Sequence, residues 1–163
     1  MSKKVIISLA NGSVEIATMD TNWKIKQIAD SSKPEIIDFE TALEEYRLVV
    51  DSSGTNSRIT DTTNLPQDRT FRDAWTDDLP GEQIDVDIPR AKIIRMEQIR
   101  AARDVKWEDF DKRYVIAERD AADLTTLDTE RQTLKDIPQV AQSDVDTATT
   151  ESDLLAVWPT GLD

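Results

Sequence analysis

From Asp87-Ile88-Pro89 to about Asp120 the chain carries no helix breaker, and that run constrains everything around it. Asp87 can cap a helix, and Pro89 falls in the first turn, where its missing N–H costs no hydrogen bond. About thirty residues at ~1.5 Å each make a rod on the order of 45 Å long. One small spherical core cannot enclose such a rod. Its apolar positions, Ile93, Met96, Ile99, Trp107, Phe110, Tyr114 and Ala117, follow helical spacing of threes and fours, interrupted at Arg103. That seam calls for a partner helix, and a hairpin with the next segment is the simplest source of one. The second helix is expected from about Asp123 to Asp136, with Leu124, Leu127, Leu134 and Ile137 on one side and Pro138 as its end. Residues 143–149 read as polar linker. Thr150-Glu151-Ser152-Asp153 resembles a capping box with Asp in the usual Glu position. It would open a last short helix carrying Leu154, Leu155, Val157 and Trp158, closed by Pro159.

The N-terminal part has a different grain. Val5, Ile7 and Leu9 alternate with polar positions, as do Val14 and Ile16 after Asn11-Gly12, which predicts a β-hairpin with a type I′ turn. Thr21 or Asn22 can cap a short helix with Trp23, Ile25, Ile28 and Ala29, stopping near Ser31-Ser32-Lys33-Pro34. A second helix is expected from an Asp38 cap through Phe39, Ala42, Leu43 and Tyr46. Leu48-Val49-Val50 then reads as a strand, residues 51–56 as a turn, and the Thr-rich Ile59 to Asn64 as a short edge strand or ordered loop. The fold class is therefore α+β. A small head containing a β-hairpin (1–64) and a linker or anchor segment (65–87) precede a helical-hairpin arm with a short C-terminal helix (88–163).

Composition removes most chemistry. The 163 residues contain no Cys and no His, so thiolate catalysis, His-dependent triads and the commonest metal ligands are absent. The alternating acidic pairs Asp85/Asp87 and Asp144/Asp146 lack the Gly and terminal Glu of a calcium loop. The four glycines are scattered singly, so no phosphate-binding loop exists. Neither catalysis nor a cofactor is expected. A formal charge of −13 and a pI near 4.4 oppose nucleic-acid binding. No apolar run approaches the roughly 20 residues that span a bilayer, and the one after Lys3-Lys4 is too short for a signal peptide. A chain made in a cytosol, or carried in a particle assembled there, is expected.

Two features remain for recognition. Leu65 to Trp75 crowds Asp68, Arg69, Phe71, Arg72, Asp73 and Trp75 together at the junction of head and arm. Asp68 can cap a turn or two of helix with Phe71 and Trp75 on one face, burying them against the head as an anchor or offering them to a partner. In the arm, Arg90, Lys92, Arg95, Arg100, Arg103 and Lys106 face only Glu97 and Asp104, a local positive stripe in an acidic chain. It can grip an acidic neighbouring subunit or the chain's own head. Nucleic acid is the weaker reading, because no aromatic or Gly interleaving accompanies it. The residues expected to meet partners are Phe71, Trp75, Arg95, Arg100, Arg103, Trp107, Phe110, Tyr114 and Trp158.

The string Asp68-Arg69-Thr70-Phe71-Arg72-Asp73-Ala74-Trp75, with Val86-Asp87-Ile88-Pro89-Arg90-Ala91-Lys92 and the run from Arg95 to Arg103, resembles small bacteriophage proteins encoded among tail genes. Arg131 to Pro138 and Val157-Trp158-Pro159 resemble the C-terminal ends of phage tail assembly chaperones and tail-fibre assembly proteins. The resemblance covers roughly 65–159, and Glu35 to Tyr46 has no counterpart in it. It implies a phage tail setting without enzymatic activity: a structural protein at the baseplate or fibre attachment, binding other tail subunits. The alternative is a chaperone that binds a tail or fibre protein and leaves. The implied locations are the virion tail and the host cytoplasm during assembly, with homo-oligomerisation left open.

Overall fold

The computed structural model describes residues 3–19, 39–51, 56–77 and 83–162. The chain is α+β, a small antiparallel sheet followed by long helices. It divides into two compact units, Met1–Val86 and Asp87–Asp163.

In the first unit, β1 (Lys3–Ser8) and β2 (Val14–Ala17) form the expected hairpin, with Ile6 opposite Ile16. Its turn differs from the expectation. Leu9 N donates to the Ser13 carbonyl and Gly12 N to the Leu9 carbonyl, both at 2.9 Å, enclosing three loop residues. Gly12 takes a left-handed φ of 79°, whereas Asn11 does not. Instead the Asn11 Oδ1 accepts from Ser13 N at 3.0 Å. Asn-Gly thus builds a three-residue loop with a glycine bulge, because the amide side chain satisfies the backbone directly.

The edge strand β3 (Ser57–Asp61) pairs with the other side of β1, giving the order β2-β1-β3, and a 3₁₀ turn follows at Thr62–Asn64. Helix α1 (Phe39–Val50) packs on β1 and β3 through its buried Ala42 and Leu43. Leu48-Val49-Val50 is the last turn of this helix and not a strand. Nothing in it breaks the helix, its side chains are exposed, and Asp51 N still reaches the Arg47 carbonyl at 2.9 Å. A preference for extended backbone among valines is worth too little to stop a helix already docked. The expected helix over 21–30 and the Asp38 cap lie outside the described residues.

The residues from Leu65 to Val86, expected as a linker or anchor, group with this first unit. Asp68 closes a tight turn, accepting from Thr70 N at 2.7 Å, and only a 3₁₀ turn (Arg72–Ala74) follows. Trp75 then enters β4 (Trp75–Thr76), paired with β5 (Asp85–Val86). The expected helix through both aromatics does not form. Ile6, Leu65, Trp75 and Ile84 instead make a buried cluster, with Val14, Ile16 and Val86 packed against it. Beside it the Asp77 carboxylate is buried, taking two bonds from the Arg58 guanidinium (2.8 and 3.1 Å) and one from Ser8 Oγ at 3.1 Å.

The second unit opens as the sequence predicts. Asp87 accepts from Arg90 N at 3.1 Å and caps α2 (Ile88–Arg119), 32 residues and about 48 Å long. The helix ends in a Schellman turn. Ala122 N reaches the Ala117 carbonyl and Ala121 N the Glu118 carbonyl, with Ala121 at φ 51° where glycine is usual. Helix α3 (Thr125–Thr147) packs back on α2 as the hairpin. It runs straight through Pro138, the expected terminus, and absorbs most of the expected 143–149 linker. Pro138 leaves the Leu134 carbonyl without its usual donor, a cost of about 3 kcal/mol in an open helix. Here Leu134, Ile137, Ala141 and Val145 continue one buried seam across it, and that burial offsets the loss. Helix α4 (Glu151–Ala156) carries the expected capping box: Thr150 Oγ1 accepts from Asp153 N at 3.1 Å, and Asp153 accepts from Thr150 N at 2.9 Å.

Candidate protein-binding groove in the helical unit

Charge distribution organises the second unit. Helix α2 holds nine basic residues against six acidic ones, while α3 holds five acidic against two basic. Arg95, read from the sequence as part of a surface stripe, is only 6% exposed. Its guanidinium donates to the Leu154 carbonyl at 2.8 Å and the Leu155 carbonyl at 2.9 Å, both in the last turn of α4. It also reaches Gln98 Oε1 at 3.0 Å and lies 5.2 Å from the centroid of the Trp158 ring. Lys92 does the same for α3, donating to the Asp146 carbonyl at 2.7 Å. Helix C-termini present unsatisfied carbonyls and the negative end of the dipole. Two cations of α2 therefore cap the two helices that follow it. Arg103 turns to Asp104 at 2.8 Å, and Arg100 is exposed.

The aromatic residues of α2 form a second group, away from the capped ends. Phe110 is buried, with Trp107 edge-on at 5.3 Å and Tyr114 at 5.6 Å between ring centroids. Arg113 lies over Phe110 and ion-pairs with Asp109 and Glu130, while Arg131 lies over Tyr114. The hydrogen bond from Arg113 holds the Glu130 carboxyl below its ordinary range. These contacts join α2 to α3. Ile93, expected in the seam, is 61% exposed on the opposite side of α2.

Of the nine sequence-predicted partner residues, the structure brings Arg95 and Trp158 together at one place and Trp107, Phe110 and Tyr114 at another. Phe71 and Trp75 are buried in the first unit. Arg95 and Trp158 stand beside an open groove of about 750 Å³ along one side of α3. It is lined by Ile137, Val140 and Ala141 from α3 and by Val157, Trp158 and Pro159 from the C-terminal segment, with Asp136 and Asp144 also present. Val140 is 68% exposed and Trp158 37%. The C-terminal wall is pinned at both ends by buried Leu154 and Leu162. Sequence reasoning missed Val140, because the expected stop at Pro138 took it out of the helix. The apolar spacing Ile137–Val140–Ala141 was the available signal.

No family model, curated protein or solved structure matches the chain. Among the described residues, no helix is long and apolar enough to cross a membrane, and no group of three or more acidic side chains is placed to hold a metal ion.

Proposed function

We propose that this chain is a bacteriophage tail structural protein, a baseplate or fibre-attachment component that binds other tail subunits and catalyses nothing. The observation that carries the reading is the meeting of two tail-like pieces at one surface. Arg131 to Pro138 supplies Thr133, Asp136 and Ile137 to the groove, and Val157-Trp158-Pro159 supplies its opposite wall. An apolar surface held open on an otherwise charged helical unit suits a protein ligand. The same pieces resemble tail and fibre assembly chaperones, so a helper that departs before the particle is finished is the second reading.

Mass spectrometry of purified particles separates the two. A structural component is found at fixed stoichiometry in mature virions. Absence from virions, with co-purification of a tail or fibre protein from lysed cells, supports the chaperone. Absence from both excludes either role.

A further inference from the structure

The groove has a pronounced electrostatic bias. Among the described residues no lysine or arginine lines it, while Asp136 and Asp144 stand eight residues apart on α3, about 12 Å along the helix. Neither carboxylate has an ion pair among the described residues. Asp136 accepts from the Gln132 amide at 2.9 and 3.0 Å, a neutral donor that leaves its charge in place. A second copy of the chain would bring another formal charge of −13 to this rim.

We infer that the groove takes a basic, apolar-anchored segment of another protein: one or two large apolar side chains against Val140 and Trp158, with flanking lysine or arginine meeting Asp136 and Asp144. The inference rests on reading the groove as a protein-binding site, and not on the phage setting. The wall is set before any ligand arrives, because Arg95 holds the end of α4 and stacks on Trp158. A preset wall lowers the ordering cost of binding, and a central aromatic beside an exposed aliphatic residue is the usual composition of an energetic hot spot. Nucleic acid and anionic lipid are disfavoured by the same two carboxylates.

The test uses the full-length protein and two labelled synthetic helical peptides. Both carry Leu and Trp on one face, with lysine elsewhere in one and glutamate in the other, and binding is read by fluorescence anisotropy at low salt. The lysine peptide should bind at least about tenfold more tightly than the glutamate peptide. Val140→Glu separates groove binding from general attraction to an acidic protein. It adds a negative charge, so non-specific binding of the lysine peptide would strengthen, whereas groove binding should weaken about tenfold. Asp136→Lys with Asp144→Lys should shift the preference toward the glutamate peptide. Circular dichroism of each variant must match the parent, and Val140→Gln, which leaves the net charge unchanged, serves as the second blocking variant should Val140→Glu lose helix. Equal binding of the two peptides overturns the inference, as does undiminished binding by a folded Val140 variant. Concentration-dependent self-association that Val140→Glu abolishes overturns it too, by making the occupant a second copy.

Discussion

The two units solve the same problem of holding a charged chain together in opposite ways. The first closes around residues distant in sequence. Ile6, Leu65, Trp75 and Ile84 share one cluster, and its buried ion pair joins Arg58 to Asp77 with Ser8 assisting. The second closes mainly along helices, through a seam of modest side chains and through cations that cap helix ends. In the first unit charge is matched to charge. In the second, ion pairs such as Arg113–Glu130 lie at the surface, the most buried cation is matched to backbone carbonyls, and the carboxylates Asp136 and Asp144 have no ion pair among the described residues. Long-range closure buries Phe71 and Trp75, while closure along helices leaves an apolar side wall open.

The largest effect is expected at Trp75. Trp75→Ala should destabilise the first unit by about 3–5 kcal/mol, read as lost hydrogen-exchange protection at Val5 and Ile6. Trp75→Phe should cost clearly less, since the buried Nε1–H has no acceptor among the described residues to lose. Asp77→Ala comes next, at about 3 kcal/mol by denaturant unfolding, because it removes a buried carboxylate that accepts from both the Arg58 guanidinium and Ser8 Oγ. If Asp77→Ala cost nothing, charge matching would not be what holds that unit. In the second unit, Arg95→Met should cost about 2–3 kcal/mol and make the chain after residue 148 an early site of limited proteolysis. Asp153 sharpens the contrast through pH. Hydrogen bonds from the Thr149 and Thr150 backbone and the Thr150 hydroxyl hold its carboxyl below the ordinary 3.8. A depressed folded value means this stability is present above 3.8 and is lost as pH falls through the lowered value. Acid titration followed at the Thr149 and Thr150 amides should show the cap opening only there. Smallest is Ala121→Gly, which should stabilise the hairpin turn by about 1 kcal/mol, because glycine takes a left-handed φ without penalty. A lower melting temperature for Ala121→Gly would contradict that strain.

What was legible in the sequence was local. The Asp87 cap, the Thr150–Asp153 box and the long helix each depend on residues within one or two turns. The Pro138 rule is also local and failed, because it ignores the seam of Leu134, Ile137, Ala141 and Val145 that carries the helix through. Ala121 hides a left-handed position that a glycine would have announced. The groove was least legible, since it needs residues of α3 and the C-terminal segment to meet, and Arg95 finds its acceptors 59 and 60 residues away. In the sequence, a cation that caps a distant helix looks the same as one that faces water. The α+β class could be read from alternation at one end and helical periodicity at the other.

The Arg95 contact also sets an order of events during synthesis. The guanidinium leaves the ribosome well before Leu154 and Leu155, so until then the cation has neither of the carbonyls it will hold. It must stay hydrated, keeping that end of the hairpin loose. Arrival of residues 154–158 removes that water and fastens the wall beside Trp158 in the same step. The groove wall is therefore completed only after residues 154–159 have emerged, and a chain terminated before them would lack it.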